Sequence, residues 1–486
     1  MTDCTRPPPH GQGVTGPETG MLLRGVELDG RVLTDVRVVG ASIAEIGPEL
    51  VARRGEDVLD ARGGALLPGL CDHHLHLHAL AAADHSVRCG PPAVTGPDAL
   101  AKALTHTPAD EHGWVRGVGY SEDIAGPLDS ATLDRLHAER PVRVQHRSGA
   151  LWMLNTAGAR ALGLDHADHP GVERDARARP TGRLWRADDW LRARLPSTRI
   201  PDLRPVGSRL ARLGITHLTD ATPDLDGTAI DAIDQAMRSG AVPQRVQLLG
   251  VPLGWTPPGA ARSPTAGPYK IVLADSALPG LDALIDRIRA AHATGRAVAV
   301  HCVTREALVL LLVALEHAGV RAGDRIEHAA LVPAELIANL RDLGLAVITQ
   351  PGFIAHRGDD YRRDVPAVEQ ADLYRARSLI DGGVACALSS DAPYGPVDPW
   401  TVIDAAVRRR TPSRRLAGAA ERLTARQALD GYLGSPGDPG GAPRLIVPEA
   451  PADLVLLRVP RTAALARPSA ELVAATVIAG AVCWAG

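Results

Sequence analysis

Residues 66–77 read Leu-Leu-Pro-Gly-Leu-Cys-Asp-His-His-Leu-His-Leu, an apolar run that ends in an acid and three histidines. On a strand, side chains alternate faces, so His74 and His76 share one face and Asp72 precedes them on it. Two imidazoles side by side at a strand end can chelate one borderline-soft divalent cation. The same residues could equally form a His-rich surface turn. Four more ligand types close or interrupt later apolar runs: Lys270 in Tyr269–Ala274, His301 after Ala297–Val300, His328 after Arg325–Glu327, and Asp391 after Val384–Ser390. Singly, each has an ordinary explanation. A strand histidine can pack at a rim, Lys270 can extend its ammonium to solvent, and Asp391, before Ala392-Pro393, can cap a turn. Six at matching positions can converge on one face of a barrel and are hard to explain as coincidence.

The elements that must position them follow from periodicity. Between the His-rich stretch and residue 391, near-continuous apolar strands alternate with helices. The strands are Ile215–Asp220, Arg245–Leu249, Tyr269–Asp275, Ala297–His301, Arg325–His328, Ala346–Gln350 and Val384–Asp391. Helices are expected at Leu281–Thr294, Arg305–His317, Ala334–Leu343 and Asp372–Ile380. Such alternation predicts a parallel sheet covered on both faces. With the opening stretch the strands number eight, as in a closed (β/α)8 TIM barrel, where residues at the C-terminal strand ends converge. A doubly wound open sheet is the alternative, but no GxGxxG follows a strand. At the termini, strands flank an Asp29-Gly30 turn and an Ala479-Gly480 turn. Neither end can fold alone, so the two are expected to pair as a small β-sandwich.

These readings predict four parts: a tail at 1–20, a composite β-sandwich from 21–64 and 440–486, and a barrel at 65–439 interrupted by an insertion at 79–203. The insertion holds Trp114, Tyr120, Trp152, Trp185 and Trp190. It either caps a pocket or packs around its own aromatic core.

The net charge of −3 and the lack of a polybasic run argue against nucleic acid and anionic membranes. No apolar run reaches ~18 residues. Six cysteines without a CxxC fit reduced thiols in a cytoplasmic enzyme. Cys302 and Cys386 are soft ligands by type, but both sit in core-strand patterns and are expected to pack.

Pro68-Gly69-Leu70-Cys71-Asp72-His73-His74-Leu75-His76 resembles the PGxxDxHxH signature of the amidohydrolase superfamily. Tyr269-Lys270-Ile271-Val272 is similar to the strand-4 lysine motif of its binuclear members. Arg325-Ile326-Glu327-His328-Ala329 and Ser389-Ser390-Asp391-Ala392-Pro393 resemble its strand-6 and strand-8 motifs. Together with the long insertion, Pro399-Trp400, the Trp152–Leu162 segment and Pro180-Thr181-Gly182, they point to the amidohydrolase-3, YtcJ-like branch. The chain departs from that branch at His301-Cys302-Val303-Thr304-Arg305, at Asp275-Ser276-Ala277 and after Gln350-Pro351, where substrate would sit.

The resemblance implies two divalent ions, with zinc expected. His74, His76 and Asp391 would hold one and His301 and His328 the other, and a carboxylated Lys270 would bridge them. Asp72 and Glu327 are candidates to orient ligand imidazoles. It also implies hydrolysis of a C–N bond in an amide, formamide or cyclic amide by a metal-activated hydroxide, with Asp391 as the proton shuttle. Tyr120, His146, Trp152, His356 and Tyr394 are expected to touch a small-molecule substrate, and a homodimer is an open option. A mononuclear deaminase, a metal-dependent isomerase or decarboxylase, and a silent binding protein on the same scaffold are the competing readings.

Overall fold

A computed structural model describes residues 20–30, 32–91, 93–196, 200–260, 262–275 and 277–486. The expected tail lies outside the described residues except for Gly20, which opens the first strand, and Ser276 lies outside them too.

The N-terminal segment forms β1 (Gly20–Leu28), β2 (Val32–Val39), β3 (Ser42–Gly47) and β4 (Asp57–Asp60), ordered β3-β2-β1-β4. Asp29 and Gly30 have φ of 52° and 72°, a left-handed pair that matches the twist of a tight hairpin. Next come β5 (Leu66–Pro68) and β6 (Leu70–Leu75). The expected single strand is thus split at Gly69. β5 pairs antiparallel with β21 (Leu454–Leu457), in the order β23-β22-β21-β5, where β22 is Val473–Ile478 and β23 is Ala481–Ala485. β6 instead pairs in parallel with β13 (Ile215–Asp220). The joint must be glycine, because a Cβ there would lie 2.1 Å from Thr216 Cγ2. The two terminal sheets share one core, in which Leu23, Val36 and Ile43 meet Leu66, Leu454 and Val477.

The insertion carries β7 (Val87–Arg88), β8 (Val115–Tyr120), β9 (Val142–His146), β10 (Leu151–Leu154), β11 (Val172–Arg174) and β12 (Pro180–Trp185). They form one mixed sheet ordered β11-β12-β10-β9-β8-β7, with an apolar cluster of its own around Leu100 and Val144 and another around Trp114 and Leu184.

The remaining strands are β14 (Arg245–Leu248), β15 (Thr265–Ala266), β16 (Tyr269–Val272), β17 (Val298–Cys302), β18 (Arg325–His328), β19 (Ala346–Thr349) and β20 (Cys386–Leu388). They form two parallel sheets, β15-β14-β13-β6 and β16-β17-β18-β19-β20. All eight expected barrel strands are present, but the ladder is not continuous around them. At one seam Pro268, which has no N–H to donate, precedes β16. A single bond from Lys270 N to Leu249 O (3.1 Å) crosses there. At the other seam the Asp72 carboxylate accepts the Ser390 N–H at 3.2 Å, taking a donor that a ladder would use. Asp391 N then donates to His74 O at 2.8 Å.

Several helices differ from expectation: Gly227–Arg238 and Pro399–Arg408 were not foreseen, and the expected Ala334–Leu343 is a 3-10 turn followed by Ile337–Asp342. Tyr374, with φ of 48°, breaks the segment expected as Asp372–Ile380, and the helix runs Ala376–Asp381. Gly352–Asp364 is a helix that periodicity did not single out. Among the described residues no helix is long and apolar enough to cross a membrane.

Candidate metal centre

β6 is buried on both faces. One face carries Cys71 and His73, whose Sγ and Nδ1 lie 3.6 Å apart. The other carries Asp72 and His74, and His76 follows just past the strand end. Asp72 does not orient an imidazole: its Oδ1 accepts the backbone N–H of His74 and of Ser390, each at 3.2 Å. Burial pushes its carboxyl up to about 6 despite those bonds.

Adjacent residues on a strand should face apart, yet Glu327 and His328 both reach His74. The His328 ring lies 4.8 Å from that of His74, and Glu327 Oε2 accepts from His74 Nδ1. The cause is a left-handed pair at the end of β18, with φ of 71° at His328 and 44° at Ala329. Each costs about 1–2 kcal/mol for an L-residue, strain of the kind concentrated at functional sites. Asp391 has φ of 52°.

The centre closes over short distances. His74, His76 and Asp391 bring ligand atoms within 4.8 Å of one another. Asp391 Oδ1 lies 3.2 Å from His76 Nε2 and 3.5 Å from His74 Nε2, and Oδ2 lies 4.0 Å from His328 Nδ1. The His301 and His328 rings are 4.5 Å apart. Outer contacts fix the rings: His76 Nδ1 meets Thr222 Oγ1 at 3.1 Å and His328 Nδ1 meets Gln350 Oε1 at 2.9 Å. Behind Glu327, Arg325 Nε donates to Oε1 at 2.7 Å. Of these partners, Glu327 is legible from its adjacency to His328. Arg325, two residues back on the same face, and Gln350, at the end of β19, carried weaker signals. Thr222 carried none.

Two buried atoms bear on a cation. His74 Nε2 and Lys270 Nζ have no hydrogen-bond partner, and leaving a buried polar atom unpaired is costly. Burial, then the Lys270 charge, pulls the His74 imidazole down to about 3, so the ring is neutral and its Nε2 lone pair is free. Burial likewise lowers His301 well below its usual range, and lowers His328. Burial raises the Asp391 carboxyl, but the His76 hydrogen bond and the surrounding imidazoles outweigh it and hold the group ionised. Neutral imidazoles and an ionised carboxylate around an unused lone pair fit a divalent ion. Burial also lowers Lys270, favouring its neutral amine.

Cys302 and Cys386 are buried free thiols, and burial pushes the Cys386 thiol up to about 12. Both pack in the main core.

A cavity of about 450 Å³ lies between the insertion and the barrel loops, and His146, His356 and Tyr394 line it. The Tyr394 ring also lies 5.4 Å from that of His76, linking cavity and centre. Tyr120 and Trp152, two of the residues expected to touch substrate, do not line this cavity. Tyr120 is fully buried in the insertion core, where its hydroxyl donates to Gly126 O, and Trp152 packs in the neighbouring cluster with Nε1 on Asp188 Oδ1 at 2.8 Å. Trp114, Trp152 and Tyr120 thus fill the insertion's own clusters, while Trp185 is exposed and other insertion residues line the cavity.

A model of the amidohydrolase family matches residues 57–483. YtcJ of Bacillus subtilis is 26% identical over 440 residues, which span 80% of this chain and 82% of that protein. The N-substituted formamide deformylase of Arthrobacter pascens is 26% identical over 473 residues, 84% of this chain and 86% of that one. The crystal structure of an uncharacterized metal-dependent hydrolase from Pyrococcus horikoshii shares the fold, with a TM-score of 0.70 at 19% identity over 90% of this chain and 97% of that one.

Proposed function

The chain belongs to the amidohydrolase family, and from that premise we propose that it hydrolyses a small amide, formamide or cyclic amide at the centre formed by His74, His76 and Asp391. The observation that carries this reading is the unpaired, buried His74 Nε2 beside the ionised Asp391. The likeness to a formamide deformylase supports the formamide class.

In this reading the strands approximate a (β/α)8 barrel, the terminal sheets form a composite β-sandwich domain and 79–203 is an inserted subdomain. His74, His76 and Asp391 would hold one divalent ion and His301 and His328 a second, with zinc favoured by the nitrogen-rich donor set. A carboxylated Lys270 would supply a further anionic donor, since a neutral buried amine can take up carbon dioxide and a carbamate would remove the repulsion of an ammonium beside cations. Bound there, such ions would polarise a carbonyl and lower the pKa of a water. Glu327 holds His74 in the tautomer that leaves Nε2 free. Asp391 accepts the proton of the attacking water and passes it to the leaving nitrogen. Five unpaired cysteines among the described residues support a reducing compartment, and we place the protein in the cytoplasm.

A mononuclear enzyme, such as a deaminase, is the second reading. It is favoured by one observation: among the described residues only His74, His76 and Asp391 group within 4.8 Å.

The test is a turnover screen of the metal-loaded protein against N-formyl and N-acyl amines, lactams and aminopurines. We expect hydrolysis within the first three classes, and an Asp391→Asn variant with a native circular dichroism spectrum and at least ~10²-fold lower turnover. Turnover of aminopurines alone would favour the second reading. No turnover on any class, or wild-type turnover in the variant, contradicts the proposal.

A further inference from the structure

The cavity walls carry more positive charge than their own carboxylates engage. Asp123 is held by Arg363 at 3.1 Å, Asp360 by Arg147 at 2.5 Å, and Asp359 by Ser413 at 2.6 Å. Two lining guanidinium groups, Arg116 on β8 and Arg88 on β7, have no carboxylate within ion-pair distance among the described residues. Arg116 is half-buried. Its Nη1 donates to Ala82 O and Ser86 Oγ, and its plane lies 5.4 Å over the Trp152 ring. The carboxylate that acts on it from a distance, Asp188, is already engaged by Trp152 Nε1.

A second cation makes this arrangement costlier. Arg143 is the register partner of Arg116 on β9, lies 5.6 Å from the same Trp152 ring, and keeps a buried Nε without a partner. Like charges directly opposite on neighbouring strands repel, and a half-buried cation without a counter-ion is unfavourable. Arg88 is exposed at the rim, with no hydrogen bond or ion pair among the described residues. Tyr394, also in the cavity wall, packs against Gly149, faces His76 and lies near enough to Arg116 to act on its charge.

We infer that the cavity binds an anionic group, a carboxylate or a phosphate, through Arg116 with Arg88 at its rim. That this group belongs to a hydrolysed substrate rests on the hydrolase reading above; the anion site does not. The wall also carries Ala83, Val118, Ala355 and Pro393, which fits an uncharged body attached to the anion.

Isothermal titration of the full-length protein with benzoate, phenyl phosphate and benzyl alcohol tests this without turnover. Both anions are expected to bind saturably and more tightly than the alcohol. Arg116→Met is expected to weaken them at least about tenfold while leaving the alcohol unchanged. Tighter benzoate assigns a carboxylate, and tighter phenyl phosphate assigns a phosphate. If Arg116→Met does not fold, Arg88→Met at the exposed rim carries the test, and weaker anion binding is again expected. An anion held at a metal ion instead would be indifferent to both variants. Anion binding that is absent from the wild type, or unchanged in the variants that fold, overturns the inference. A protein that binds benzoate through Arg116 yet hydrolyses nothing keeps the anion site and loses the hydrolase reading.

Discussion

At the scale of single residues, the centre is organised by a chain running inward from Arg325 through Glu327 to His74. Glu327 is fully buried. Burial alone would raise its carboxyl, but Arg325 and His74 outweigh it and hold the group well below the usual carboxylate range. An ionised Glu327 fixes the proton of His74 on Nδ1 and frees Nε2 for a cation. Replacing it with Gln keeps the shape and removes the charge. Glu327→Gln is therefore expected to weaken metal retention by about 10–100-fold in a chelator competition titration. It should also lower the thermal midpoint, because Arg325 becomes an unpaired buried cation. Metal retention equal to wild type would remove Glu327 from the centre. The histidines, Lys270 and Asp391 were legible because each closes or interrupts an apolar run. Arg325 was not, because an arginine on a strand normally signals an exposed face, and only the ion pair with Glu327 explains its burial.

At the scale of elements, the positions that sequence periodicity misplaced are those where the backbone leaves its regular path. Alternation puts Glu327 and His328 on opposite faces, and the left-handed pair at His328 and Ala329 brings them to one. The run from Leu66 to Leu75 reads as one strand, but Gly69 hands the chain from the antiparallel sheet of β21 to the parallel sheet of β13. A methyl group at Gly69 would collide with Thr216, a β-branched side chain with little rotamer freedom. Gly69→Ala is expected to cost about 1–3 kcal/mol, visible as a lower thermal midpoint with metal bound. An unchanged midpoint would mean that this joint has slack. The helix Gly352–Asp364 escaped notice for a related reason: it mixes buried Phe353 and Ile354 with cavity-facing His356 and charged residues, so no clean stripe of period 3.6 marks it.

At the scale of the whole molecule, the strand–helix alternation revealed the parallel sheets, because that pattern repeats over many residues. The insertion's sheet was hidden by short strands of mixed direction, and Tyr120 and Trp152 drew attention as pocket residues although they pack inside the insertion. The terminal sheets bury one another's apolar faces, so Leu454, which is 1% exposed, belongs to a core shared by segments more than 400 residues apart. Leu454→Ala is expected to destabilise by about 2–5 kcal/mol. Limited proteolysis should then cut first in the terminal segments, and cleavage confined to the insertion would contradict a shared core. The central claim is a divalent-metal centre built on His74, His76, His301, His328, Lys270 and Asp391. Elemental analysis of protein purified without chelator tests it most directly: about two transition-metal ions per chain are expected in the wild type, with a clear loss in Lys270→Ala, whereas a wild-type chain free of such metal would contradict the account.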